Sequence, residues 1–408
     1  MGGFGWSQFL QAILVSPPCA QQTFISIYTD AEPKWHCNFS TICNKCQVSK
    51  SDWSWDEPSQ KTIISEWGLE CASSFMTGLP ASSFFIGSLI GGFTLAMLGD
   101  IFLGRKNLLF LSCLIMSIAS LLTAFSINIW MYSLLRLVSG IGRASIMTCS
   151  LILLTERVGK RWRGQIGSAT FCSYTVGVLS SPALAYMNRG SSWRILYLYA
   201  SIPAIFYCII TYFPVYESHR WLFMDLFKRR WALQWVLATM VLGFGIGVAF
   251  FGTLIGVNSF LAYQIPLFFI ARWKRKISLF AFCITSGICN ILCVVVGRRR
   301  EGIQIGLDLA SLFFSCLAYN VLLTFTIELF PTTVRNSATS LVRQVVVFGS
   351  AFDSILTSAA MRNEFLSIGI LGLSILLCGF IVIIFPETKG KSLCNTMDEQ
   401  EHKESTTV

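Results

Sequence analysis

The chain has 408 residues, 54% of them hydrophobic and 13% charged, with a net charge of +10. Soluble domains carry roughly 25% charged residues, so this composition excludes an ordinary soluble fold. The positives do not line a face that could follow nucleic acid: they fall in short runs between apolar stretches, at Arg105-Lys106, Arg157 to Arg163, Lys228-Arg229-Arg230, Arg272 to Lys276 and Lys389 to Lys391.

A bilayer core about 30 Å thick is crossed by roughly 20 apolar helical residues, and Lys and Arg stay on the cytoplasmic side. Helix 1 is expected within Trp6–Tyr28, where Pro17-Pro18 and Gln21-Gln22 predict a break near the middle. No basic segment precedes the apolar Trp6–Val15 and no clear cleavage site follows, so a cleavable signal peptide is not expected. The polar stretch Asp30 to Glu70 follows, with Cys37, Cys43, Cys46 and Cys71 in or beside it. It also holds Asn38-Phe39-Ser40, an N-x-[ST] acceptor. Four cysteines beside a glycosylation acceptor predict a non-cytosolic loop stapled by disulfides, with the connectivity open.

Helices 2 to 6 are predicted at Phe75–Leu98, Asn107–Phe125, Tyr132–Leu154, Ile166–Met187 and Leu196–Pro214. A cytoplasmic segment, Tyr216 to Trp231, follows. Leu233–Ile270 has basic runs at both ends, so the charge rule asks for two crossings. That leaves roughly 17 residues for each, the lower limit of a span, so helices 7 and 8 are compressed or the stretch is re-entrant. Helices 9 to 12 are predicted at Ile277–Val296, Gln304–Ile327, Ser337–Ala360 and Phe365–Phe385. The polar tail from Pro386 is expected to be disordered. Arg298-Arg299-Arg300 falls on the outer side in this count, against the charge rule.

An internal echo predicts two related six-helix halves. Glu156 and Arg163 lie seven apart after helix 4; Glu328 and Arg335 repeat the pair 172 residues later, after helix 10. Phe213-Pro214 with Glu217 is echoed by Phe385-Pro386-Glu387. The expected organisation is an N-terminal bundle, 1–215, with the Cys-rich loop at 30–74, then a linker at 216–232. A C-terminal bundle at 233–385 and a tail at 386–408 complete it. Parallel halves of this kind hold substrate between them near the midplane.

Charges inside spans are functional candidates by default: Arg136, Arg143, Asp308, Arg343 and Asp353. Arg136 and Asp308 are 172 apart, at corresponding positions of helices 4 and 10, and are expected to face each other. Arg143 lies mid-span and should find a carboxylate or carbonyl partner. Asp353 is a candidate carboxylate for a quaternary ammonium, with aromatic faces completing its cage. Gly140 and Gly142 let helix backbones approach closely. His36, His219 and His402 lie outside the spans, which argues against a histidine proton relay. No P-loop, metal-ligand set or nucleophile–base arrangement stands out, so neither an enzyme nor a bound cofactor or metal is expected.

Several motifs carry a family resemblance. Gly99-Asp100 with Gly104-Arg105-Lys106, and Arg136-x-x-x-Gly140-x-Gly142-Arg143, resemble signatures of the major facilitator superfamily. Glu217-Ser218-His219-Arg220-Trp221-Leu222 resembles its ESPRWL segment, with His219 where Pro is usual. Glu328-Leu329-Phe330-Pro331-Thr332 with Arg335, and Pro386-Glu387-Thr388-Lys389-Gly390, are similar to sugar-porter and organic-ion motifs. Thr62 to Trp67 ahead of Cys71 points to the organic-ion branch, and the whole pattern resembles the plant organic cation/carnitine transporters. Helix 1, the segment after Leu222 and helices 7 and 8 are shorter than in that family.

The resemblance implies an all-α polytopic fold, two six-helix bundles with nominally 12 spans. It implies alternating-access transport of an organic cation or zwitterion such as carnitine, with a coupled ion and no nucleic acid as partners. The plasma membrane is the first expected location and the vacuolar membrane the second. Asp100 beside Arg105 and Lys106, Glu156 with Arg163, and Glu328 with Arg335 would latch a cytoplasmic gate. Two other readings are a shortened membrane protein that does not transport, and a transporter of an organic anion or sugar.

Overall fold

A computed structural model describes residues 16–37, 46–47, 51–98, 104–157, 163–212, 229–256, 274–296, 301–331, 334–360 and 364–387. Helix α1 covers 16–24 and continues as Ser26–Thr29. The others are α2 Ser74–Leu98, α3 Gly104–Thr123, α4 Ile129–Arg157, α5 Arg163–Met187 and α6 Trp193–Tyr212. They continue with α7 Arg230–Gly256, α8 Arg275–Val296, α9 Glu301–Leu329, α10 Arg335–Ala360 and α11 Glu364–Gly379, the last running into a 3₁₀ segment Phe380–Ile384. Helices 9 to 12 of the sequence reading are therefore α8 to α11. Among the described residues, five stretches are long and apolar enough to cross a membrane: Ser74–Leu95, Lys106–Thr123, Trp231–Ala249, Arg275–Val296 and Gly302–Leu323.

Helix boundaries differ from the predicted ones by one to three residues at most ends, because polar first turns such as Gly104 to Lys106 extend the helices beyond their apolar windows. The larger differences concern the two short regions. In α1, Pro17, Pro18, Gln21 and Gln22 lie in helical backbone, and the described irregularity falls at Ile25 instead. Gln21 Nε2 donates to the Ser180 hydroxyl of α5, and Gln22 Oε1 accepts from the Ser120 hydroxyl of α3. Within Leu233–Ile270 the structure describes one continuous helix, α7, of 27 residues. Residues 257–273, which would carry a return crossing, lie outside the described residues.

The chain divides into two compact units: Met1–Gly91 with Arg105–Glu217, and Gly92–Gly104 with Ser218–Val408. In the first, small residues set the helix spacing. A Cβ on Gly140 of α4 would collide with the Phe84 carbonyl of α2, and one on Gly142 with the α3 backbone at Ser112 and Met116. Glycines on two faces of α4 thus admit two neighbouring backbones, the packing expected where lipid removes the hydrophobic drive between helices. The second unit uses the same device between α7 and α10, at Gly247 and Gly349. Its core gathers Leu242, Ile246, Phe325, Phe330 and Phe385. Outward faces are apolar too, as Phe206, Ile209, Leu237 and Leu377 show.

Between α1 and α2 the chain forms an antiparallel two-strand pair, β1 Trp35–Cys37 and β2 Trp53–Trp55, with Trp35 opposite Trp55. A one-turn helix, Ile63–Glu66, follows, capped by the Thr62 side chain on the Ser65 N–H. Its Ile63 and Ile64 are buried in a cluster with Tyr132, Trp193 and Tyr197. Cys46 is bonded to Cys71, and Cys37 is also disulfide-bonded. Asn38 and Cys43 lie outside the described residues.

Candidate functional site

The first unit contains a buried polar centre built by α1, α2, α3, α4 and α6. Arg136 is 1% exposed, and a guanidinium cannot shed its charge in proteins. Its Nη1 donates to the Gln22 carbonyl at 2.9 Å, and its ring-facing side lies 4.3 Å from the Phe84 centroid. Gln22 in turn accepts from the Ser120 hydroxyl at 2.7 Å, and Ser120 meets Ser139 at 3.0 Å. Beside Arg136, the Asp30 carboxylate accepts from Tyr132 and Thr29, both at 2.8 Å, and Tyr132 meets Tyr197 at 2.8 Å.

This centre is incompletely satisfied. Arg136 Nε and Nη2, Gln22 Nε2 and Asp30 Oδ2 are all sealed from solvent without a hydrogen-bond partner among the described residues. Nearly all buried polar groups in folded proteins are paired, so four orphans in one place mark a position where another polar group is accommodated. Burial pushes the Asp30 carboxyl up to about 6, opposed by the Arg136 charge and the bonds from Thr29 and Tyr132. Above the centre Trp67, Tyr132, Trp193 and Tyr197 meet edge-to-face at centroid distances of 5.4–5.9 Å.

Arg143, two turns along α4 from Arg136, reaches the same Phe84 ring at 5.8 Å and the Ser88 hydroxyl at 3.4 Å. It also bonds the Tyr174 hydroxyl. Arg136 and Asp308 each find their described partners within their own unit, Asp308 accepting from the Cys293 thiol at 3.1 Å. Asp353 is wholly buried in α10, and Arg343 on the same helix is half-buried.

At the start of α8, Glu328 forms an ion pair with Arg275 at 3.2 Å. Glu387 caps that helix, accepting from the Arg275 and Lys276 N–H groups at 2.9 and 3.3 Å. The expected partner of Glu328 was Arg335, whose side chain lies outside the described residues, as do those of Gly104, Arg105, Glu156 and Arg163; Lys106 is half-buried in α3. Gly99, Asp100 and the segment at 217–222 lie outside the described residues altogether. Sequence reasoning missed Asp30, Gln22, Arg275 and Glu387 as site residues. The signal for Glu387 was present in Pro386-Glu387, whereas Asp30 and Gln22 become notable only once Arg136 is placed beside them.

The motif Thr62 to Trp67 acquires a structural meaning. Glu66 accepts from Trp193 Nε1 and Arg194 Nη1, both at 2.6 Å, while Arg194 Nη2 donates to the Ser126 carbonyl at 2.9 Å. The loop is thereby clamped to α6 and the end of α3.

The family described as "Sugar (and other) transporter" matches residues 35–232. The chain is 44% identical to organic cation/carnitine transporter 3 of Arabidopsis thaliana over 477 aligned positions, 99% of this chain and 92% of that protein. It is 42% identical to organic cation/carnitine transporter 2 of the same plant, over 99% and 93%. The alignments are longer than the chain, so internal gaps separate it from both, consistent with the shortened regions. The E. coli xylose transporter, in its inward-open conformation, superposes with a TM-score of 0.68 at 18% identity, covering 97% of this chain and 98% of that one. That likeness shows the fold. The chain belongs to the organic cation/carnitine transporter family of the major facilitator superfamily, and is a multi-pass membrane transporter, not an enzyme.

Proposed function

We propose that the chain carries a carnitine-like zwitterion or organic cation across the plasma membrane, with the vacuolar membrane as the second location. The observation that supports this most is the buried opposition of Arg136 and Asp30, each with unsatisfied polar atoms. A zwitterion matches both: its carboxylate would take the two free guanidinium N–H directions in a charge-assisted fork. Its ammonium would lie toward Asp30 and the rings of Tyr132, Tyr197 and Trp193, which replace lost hydration. The names of the Arabidopsis relatives support the same substrate class.

In this reading Arg143, Arg343, Asp308 and Asp353 are further substrate or ion contacts. Asp100, Arg105, Lys106, Glu156, Arg163, Glu328 and Arg335 form the gate latches on the cytoplasmic side. Individual ion pairs that are partly solvated are worth little, which suits pairs broken on each transport stroke. The Glu328–Arg275 pair and the Glu387 cap supply such contacts at the end of α8.

The test is uptake of labelled carnitine and a labelled polyamine into vesicles, after antibody access confirms surface display. Saturable carnitine uptake lost in Arg136→Gln is expected. No uptake of any cation or zwitterion above empty vesicles, by a displayed chain, overturns the proposal; uptake of only an anion or sugar replaces the substrate class. Fractionation of tagged protein decides the membrane.

A further inference from the structure

The second unit carries a polar seam around Asp308, and the inference drawn from it rests on the reading of that residue as an ion contact. On α8 and α9, Cys293 meets Asp308 at 3.1 Å and Ser286 meets Ser315 at 2.7 Å. Seven residues separate the two contacts on each helix, so they lie in one antiparallel register. On that register Asn290 stands opposite Ser311, whose hydroxyl also reaches Ser286 at 3.1 Å. The seam runs about two turns, roughly 10 Å, inside helices of membrane-spanning length.

Two features of the seam are costly as they stand. Asp308 sits in a span, and its partner among the described residues is a thiol, a weak donor that cannot balance a carboxylate's charge. Asn290 is 0% exposed, and neither Oδ1 nor Nδ2 has a hydrogen-bond partner among the described residues. Among the described residues, the amide has no partner and the carboxylate meets no cation, and each arrangement carries a desolvation penalty. Asn290 also borders α11, where a Cβ on Gly372 would press on its own Cβ. It therefore faces the join between α8, α9 and α11 and is directed away from lipid.

We propose that this seam binds a small monovalent alkali cation, held by the Asp308 carboxylate, Asn290 Oδ1 and the Ser311 hydroxyl. One carboxylate with neutral oxygen donors balances a single positive charge, leaving the seam neutral within the bilayer. A proton on Asp308 would neutralise the charge equally well but would leave Asn290 Oδ1 without a partner. Among the described residues, Cys293 is the titratable group in contact with Asp308. Arg298 to Arg300, eight or more residues before it, lie outside the described residues.

Thermal unfolding of the purified full chain in detergent tests the site, in NaCl, LiCl, KCl or choline chloride at fixed ionic strength and pH. A saturable rise in Tm with an alkali cation over choline is expected, roughly 3 °C at a hundredfold excess over Kd. Asn290→Ala and Asp308→Asn should abolish it. Equal Tm in all four salts overturns the proposal, as does a shift that follows pH in choline with no alkali effect. If Asp308→Asn fails to fold, Asn290→Ala and Ser311→Ala carry the variant arm, and the wild-type titration decides on its own. The readout involves no solute, so loss of carnitine uptake and loss of cation binding are separate outcomes.

Discussion

Phe84 lies under the guanidinium of Arg136, with the carbon 4.3 Å from the ring centroid. Both residues are buried, and among the described residues the Gln22 carbonyl is the hydrogen-bond acceptor for Arg136. The ring face therefore supplies part of the solvation that water no longer can, an effect worth about 2 kcal/mol when desolvated. Phe84→Leu should keep most of the apolar contact and lose this stabilisation, lowering stability by about 2 kcal/mol in detergent-phase thermal unfolding. Phe84→Tyr should retain the greater part of it.

Asp30 gives the first unit a pH dependence. Its carboxyl is raised to about 6 from the model-compound value of 3.8, so the folded chain favours the protonated form. The stabilisation is fully present below about 3.8 and is lost as pH rises through about 6. Over that window unfolding should become easier by about 3 kcal/mol, and Asp30→Asn should flatten the profile. Arg136→Gln should move the midpoint upward, since the Arg136 charge is what holds the carboxyl down. A series of melting curves from pH 4 to 8 reads both.

The Cys46–Cys71 bond closes a loop with a sequence separation of 25, for which chain-entropy arguments give about 3 kcal/mol. Cys71→Ser should cost about that much, and reduction of the intact protein, which also opens the Cys37 disulfide, should cost more. It should also loosen protease protection at 46–74 before the helices unfold. Limited proteolysis followed by mass mapping checks the order of events.

Glu66 holds the same loop from the other end. Glu66→Gln keeps an acceptor for Trp193 but removes the ion pair with Arg194, so a loss of about 1–2 kcal/mol is expected. Glu66→Leu leaves Trp193 Nε1 and Arg194 without their acceptor and should cost about twice as much. The difference between the two variants in melting temperature is the diagnostic quantity.

Glu387 accepts from two N–H groups that open helix α8. Glu387→Ala should therefore destabilise by about 1–2 kcal/mol, the usual range for a lost cap. A double-mutant cycle on Arg275 and Glu328, whose side chains are 14% and 24% exposed, should give a coupling of about 1 kcal/mol. If the pair is a gate latch, Glu328→Gln changes the carnitine uptake rate by more than its effect on melting predicts.

Much of the architecture was legible beforehand. Runs without Asp, Glu, Lys or Arg, such as 75–98 and 107–135, announce spans because crossing a bilayer demands only local length and apolarity. The loop cysteines announced a disulfide in the same local way. The motifs located family and fold, and ends such as Leu98 and Val296 coincide with the predicted ones. Within the candidate sites much less was visible. Arg136 and Asp308 were singled out from a repeat offset, which relates positions and says nothing of the neighbours each side chain meets within its own unit.

What the amino-acid order determined by itself was a lipid-embedded, two-part helical chain with a disulfide-stapled loop. Solvation by lipid acts on each segment separately, so each segment declares it. Tertiary structure alone decided that Gln22 and Asp30 surround Arg136, more than 100 residues away. It likewise placed Asn290 opposite Ser311, and Glu387 on the N–H groups of Arg275 and Lys276. Those pairings follow from which helices become neighbours and at what register, and a buried polar group is costly or useful only once its surroundings are set.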